Sequence, residues 1–171
     1  MGFTPLGGLM MGTRSGDLDP GVMLYLLQQT GRTIDEVAAL VTNQAGLRGV
    51  SQRSADMKIL LDHEDDPQTA IALELYVYLA RKQLGGLLAV LGGVDLLVFT
   101  GGVGEHAAEI RARIGRDFDY AGIRIDPEKN TEDATEISYE NAPVRVMVLP
   151  ADEERMIARD TVELIRRERT I

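Results

Sequence analysis

The sequence predicts an α/β fold, and three observations carry the prediction. Apolar residues recur at helical spacing along most of the 171 residues. Two short β-rich runs, Asp95–Thr100 and Val144–Leu149, break that pattern. Each run ends in a glycine- or proline-containing turn that leads into another helix. The length suits a single domain with a real core.

The helices follow from their ends and their stripes. Asp19-Pro20 reads as an N-cap with a first-turn proline, and Gly31 stops that helix. Thr33 to Glu36 forms a capping box, followed by Ile34, Val37, Ala38 and Val41 on one face. Ser54 is placed to cap a short helix through Leu61. Asp66-Pro67 opens the longest helix, to about Leu91, with Ile71, Leu75, Tyr78 and Leu79 as its inner stripe. The run 95–100 is apolar without alternation, which predicts a strand buried on both faces. A helix with Ala107, Ile110 and Ile114 inward comes next, then a short strand at 122–126 and a polar loop at 127–135. After the second β-rich run, a charged amphipathic helix starts near Asp152.

Composition excludes several functions. With 18 Lys+Arg against 27 Asp+Glu the net charge is -9, and nucleic-acid binding wants the opposite sign. Three Phe, five Tyr and no Trp offer little for base stacking. No Cys means no disulfide, thiolate metal site or cysteine nucleophile, and it suits a cytoplasmic setting. The uncharged apolar stretch from Leu84 to Val94 is well short of the roughly 18–20 residues a membrane span needs. Residues 1–5 lack the charged and apolar regions of a secretory signal, so no membrane association is expected.

Three segments are candidates for chemistry. After the first strand, Gly101-Gly102-Val103-Gly104-Glu105-His106-Ala107 enters a helix. Glycines there let backbone N–H groups approach an anion, although a tight strand-to-helix turn uses them equally well. Gly102-x-Gly104-x-x-Ala107, with Asp126 further on, also matches the dinucleotide-binding fingerprint, a weak signal alone. Arg14 lies in the glycine-rich stretch Met11–Gly16, either a surface cation or a clamp for phosphoryl oxygens. Asp152, Glu153 and Glu154 follow the second strand, where they either cap a helix or hold a hard cation. His63 and His106 have no Ser/Asp context that would build a triad.

Together these stretches resemble the acetate kinase family. Met1–Pro20, ending MMGTRSGDLDP, resembles its central signature; Val98–Arg111 its adenosine loop; and Val144–Glu154 its C-terminal metal-binding segment. The resemblance implies part of the ATPase fold shared by actin, hexokinase and heat-shock 70 proteins (ribonuclease H-like), without its first strands. It implies that residues 1–171 are the C-terminal part of the family's C-terminal domain, with no N-terminal domain present.

For the complete enzyme, the resemblance implies reversible transfer of the ATP γ-phosphoryl group to acetate, giving acetyl phosphate and ADP. Arg14 matches the arginine that stabilises the phosphoryl group in flight, and Glu153 a ligand of Mg²⁺ (or Mn²⁺). Asp56, Met57 and Lys58 match a nucleotide-contacting stretch, and Gly102, Val103, Gly104, Glu105 and His106 the adenosine loop. The sequence departs from the family at Met57 and Lys58, where an aromatic residue and an arginine are usual, and at His106, where asparagine is common. The resemblance makes the fingerprint fortuitous and Asp126 structural. It also implies a homodimer, an isolated chain that is inactive, and a companion chain able to supply the missing N-terminal part. Alternatives are a non-catalytic nucleotide-binding or oligomerisation fragment, a propionate or butyrate kinase segment and, on the fingerprint alone, an NAD-dependent oxidoreductase.

Overall fold

The structure, a computed structural model, describes residues 2–132 and 134–168. Nine α-helices and two strands are found among them, in the order α1 (Pro20–Gln29), α2 (Ile34–Ala39), α3 (Gly46–Ser51), α4 (Met57–Leu61), α5 (Pro67–Leu91), β1 (Leu96–Phe99), α6 (Gly101–His106), α7 (Ala108–Gly115), α8 (Pro127–Thr131), β2 (Arg145–Val148) and α9 (Glu153–Glu168). A π-helical turn at Leu40–Gln44 joins α2 to α3.

Most helix starts are those the sequence marks. The Asp19 carboxylate accepts from the Gly21 N–H, and Asp66 accepts from the Thr69 N–H with Pro67 in the first turn. The Thr33–Glu36 capping box forms in both directions. At α4 the cap moves: Asp56, not Ser54, accepts from the N–H groups of Lys58 and Ile59, while the Ser54 hydroxyl accepts from the Asp56 N–H. Asp lies one residue before the helix, where its oxygen reaches the second and third amides. The polar loop expected at 127–135 instead contains α8, capped by Asp126.

Helix α5 is the spine. Its first half packs Ala72, Leu73, Tyr76 and Val77 against Leu47, Met57, Leu60 and Ile110. Its far end places Leu88 in a second cluster with Phe118, Ile123, Ile137, Val144 and Val146. The buried stripe only partly matches the expected one: Leu75 and Leu79 pack half-buried against the first cluster, while Ile71 and Tyr78 are exposed. Both stripes are apolar in sequence, so periodicity alone could not choose between them. Toward the C-terminal end of α5, Leu87, Val90 and Leu91, on the same face as Leu73 and Tyr76, are left in solvent as well.

β1 and β2 pair in parallel, Leu96 opposite Arg145 through Phe99 opposite Val148. The far edge of β2 carries residues 135–137: Ile137 N–H donates to Val146 O, and Val148 N–H to Thr135 O. The strand expected at 122–126 is reduced to single bridges, Ile123 with Val144 and Ile125 with Ser138. The second edge of β1 pairs with no strand among the described residues. Burial of β1 on both faces, expected from its sequence, is not observed: Leu96 and Val98 are 45% and 38% exposed. Only Leu97 and Phe99 pack toward the second cluster. The apolar run is that of an inner strand, but this chain covers one face only. No described helix is long and apolar enough to cross a membrane.

Candidate functional site

A cleft of about 640 Å³ opens between α4 and α6, lined by Asp56, Met57, Lys58, Leu61, Asp62, Gly102, Val103, His106 and Ala107. Two segments that the sequence analysis singled out separately, 56–58 and 102–106, thus face each other. The volume is that of a small-molecule site. Met57, Leu61, Val103 and Ala107 make its apolar part, and Asp56, Lys58, Asp62 and His106 supply the polar groups. One Asp56 oxygen is committed to the α4 cap, at 2.8 Å from Lys58 N and 3.2 Å from Ile59 N. Gly102 has open space where a Cβ would be, so this wall is bare backbone.

The walls are held from behind. Arg113 on α7 grips Glu64, beyond α4, with two bonds of 2.6 and 2.7 Å, and reaches Glu109 through Nε at 2.9 Å. Hydrogen bonding to Arg113 holds the Glu64 carboxyl below its usual range. Beneath α6 lies Arg111, 0% exposed. It donates to Gly104 O and Glu105 O from Nη1, to Asn130 Oδ1 from Nε and to Asn130 O from Nη2. These bonds satisfy carbonyls at the α6 C-terminus that the helix leaves orphaned. Neither Arg111 nor Asn130 stands out in the sequence as a candidate residue. The available signal was an arginine beside Ile110 on the inward side of α7, where a charge persists only if fully hydrogen-bonded.

Gly104 and Glu105 do not line the cleft. A Cβ on Gly104 would come 3.2 Å from the Phe99 carbonyl carbon, so that glycine serves helix–strand packing. The Glu105 carboxylate turns back to the Gly101 N–H at 2.8 Å and across to the Ala151 N–H at 2.9 Å. An anion on the Gly101 amide is therefore not what this loop is built for: a carboxylate already occupies that donor and would repel it.

Arg14 lies apart from the cleft-lining set, in a loop stitched to α3. Ala45, Leu47 and Arg48 N–H groups donate to the carbonyls of Thr13, Met11 and Gly12, and Ser15 N–H donates to Val41 O. The Arg14 guanidinium donates to Pro5 O at 3.3 Å. Glu153 is exposed at the α9 N-terminus, one residue past Asp152, whose carboxylate accepts from the Arg155 N–H. No group of three or more His, Asp or Glu residues converges on a metal position among the described residues. Asp126 spends an oxygen on the N–H groups of Glu128 and Lys129, the α8 cap, which suits its structural reading.

The cleft lies between a glycine-rich helix start and a capped short helix, beside a parallel strand pair, in a mixed α/β unit. The chain belongs to the acetokinase family, whose model matches residues 1–159. It is 42% identical to the acetate kinase of Clostridium beijerinckii over 97% of this chain and 43% of that protein. It is 49% identical to that of Rhodopseudomonas palustris over 93% of this chain and 40% of that protein. Among solved structures, Porphyromonas gingivalis acetate kinase superposes with a TM-score of 0.90 at 39% identity, covering 96% of this chain and 43% of that one. A propionate kinase from Francisella tularensis gives 0.85 at 36% identity, with 92% and 41% covered. The chain thus spans about two-fifths of the length of the relatives it matches.

Proposed function

We propose that this chain supplies the nucleotide side of an acetate kinase cleft. The observation that carries the reading is the convergence of Asp56, Met57 and Lys58 with Gly102, Val103 and His106 on one cavity. The adenosine of ATP or ADP occupies it, packed on Met57 and Val103, with polar contacts from Asp56, Lys58 and His106. The backbone at Gly102 gives the ring system room to approach. Arg14 neutralises charge on the equatorial oxygens of the transferring phosphoryl group, the role a fixed guanidinium performs best. Glu153 would offer one hard oxygen donor to Mg²⁺ or Mn²⁺. When bound, the metal would supply Lewis-acid charge neutralisation for the transfer.

The complete reaction moves the γ-phosphoryl group from ATP to an acetate oxygen, leaving ADP and acetyl phosphate. It needs an acyl-binding side that this chain does not supply. The open β1 edge and the exposed apolar residues of β1 and α5 support a fold completed by more polypeptide: a segment covering the rest of the family fold, with residues 1–171 as the C-terminal part of its second domain. This unit belongs to the actin, hexokinase and heat-shock 70 class of ATPase. It acts in the cytoplasm as a homodimer, and its acyl substrate is acetate or propionate. A second reading, a nucleotide-binding or oligomerisation fragment without turnover, is favoured by the position of Arg14 and Glu153 outside the cleft lining.

The nucleotide reading is tested by calorimetric titration with ADP. Wild-type chain is expected to bind, and Gly102→Val to bind at least tenfold more weakly, because the new side chain enters the cleft. Nothing in the structure lies within 4 Å of a Cβ at Gly102, so the melting temperature is expected to stay within about 3 °C of wild type. Equal ADP affinity in the two proteins would contradict the assignment.

A further inference from the structure

We propose that Glu105 is a positioning residue that couples the cleft to the turn at 149–152, and through it to the start of α9. The proposal rests on the nucleotide reading of the cleft. One carboxylate oxygen accepts from two amides that are far apart in sequence, Gly101 N–H at 2.8 Å and Ala151 N–H at 2.9 Å. The first fastens the N-terminus of α6. The second crosses to the segment that leaves β2, where the strand pair is extended by one more bond, Leu149 N–H to Phe99 O.

The two strand–turn–helix units therefore lie side by side, and the Glu105 side chain links their turns. Arg111 holds the other end of α6 through Gly104 O and Glu105 O. Pinned at both ends, α6 moves as a body. A ligand packed on Val103 and His106 restrains Glu105, and Glu105 restrains Ala151, two residues before Glu153. Because one charged oxygen accepts from both amides, ordering α6 also restricts residue 151, a coupling that amide exchange reads directly.

Amide hydrogen exchange on the intact chain, with and without saturating ADP, tests this. In wild type, ADP is expected to slow exchange in both cleft segments, 56–58 and 102–106, and also at Ala151, which does not line the cleft, by at least threefold. In Glu105→Ala the protection of the cleft segments is expected to persist while the added protection at Ala151 disappears. Glu105→Gln, which keeps a neutral acceptor oxygen, is expected to restore part of it. Cleft protection in wild type without any effect at Ala151 would overturn the coupling and leave the nucleotide reading standing. No protection at either place would overturn both. Loss of cleft and Ala151 protection together in Glu105→Ala and in Glu105→Gln would make Glu105 a purely structural brace, and would also overturn the proposal.

Discussion

Replacing Arg111 by alanine is expected to cost the fold about 3–5 kcal/mol, the scale for stripping a buried charged partner from its acceptors. The guanidinium is fully buried and, among the described residues, donates to four oxygens on three residues. Its removal leaves Gly104 O, Glu105 O and both Asn130 oxygens without that donor, and opens a cavity beside Ile110. For a chain of this size the loss corresponds to a fall in Tm of roughly 10 °C or more. Circular-dichroism melting checks it. Arg111→Lys is expected to recover only part, since an ammonium cannot span the planar arrangement of Nε and both Nη atoms. A melting temperature within about 3 °C of wild type for the alanine variant would contradict the burial and bonding described here.

Gly46→Ala is the second large effect. Gly46 has φ +65°, and a Cβ there would press into Met11 O and lie 2.8 Å from Arg14 O. Both neighbours are backbone and part of the ladder joining residues 11–15 to 41–48, so neither can rotate away. The left-handed conformation alone costs about 1–2 kcal/mol for a residue with a side chain, and the clash adds to it. The expected total is about 2–4 kcal/mol, within the range of severe single substitutions. The damage is local to the loop that carries Arg14. Amide exchange at Met11 and Ser15 should therefore quicken before the rest of the chain loosens. Wild-type exchange at those two amides would show that the loop does not depend on Gly46.

Much of the fold was legible in the sequence because its signals are local. Asp19-Pro20, the Thr33–Glu36 box and Asp66-Pro67 each satisfy amides within a turn of themselves, so composition at a few positions fixes a helix start. What failed needed distant partners. The inner stripe of α5 is chosen by Leu47, Leu60 and Ile110, none of which a periodicity count can see. The exposed face of β1 depends on how few of the described residues pack against Leu96 and Val98, which an apolar run does not reveal. At the site, 56–58 and 102–106 were recognisable through family resemblance, and their facing geometry bears on the same cleft. The carboxylate of Glu105 was not: its second partner, Ala151, is 46 positions away. Arg111 was hidden for the same reason, its acceptors being backbone carbonyls and a distant asparagine.

The most direct measurement is ATP-dependent acetyl phosphate formation, trapped as the hydroxamate with Mg²⁺ and acetate present. It is run on the chain alone and on the chain mixed with a companion polypeptide carrying the part of an acetate kinase relative that this chain does not match. The account predicts no turnover by the chain alone, turnover when the companion is present, and its loss when Arg14→Ala replaces the wild-type chain in the mixture. Turnover by the chain alone would contradict it, because a complete acyl and phosphoryl site would then have to exist within residues 1–171.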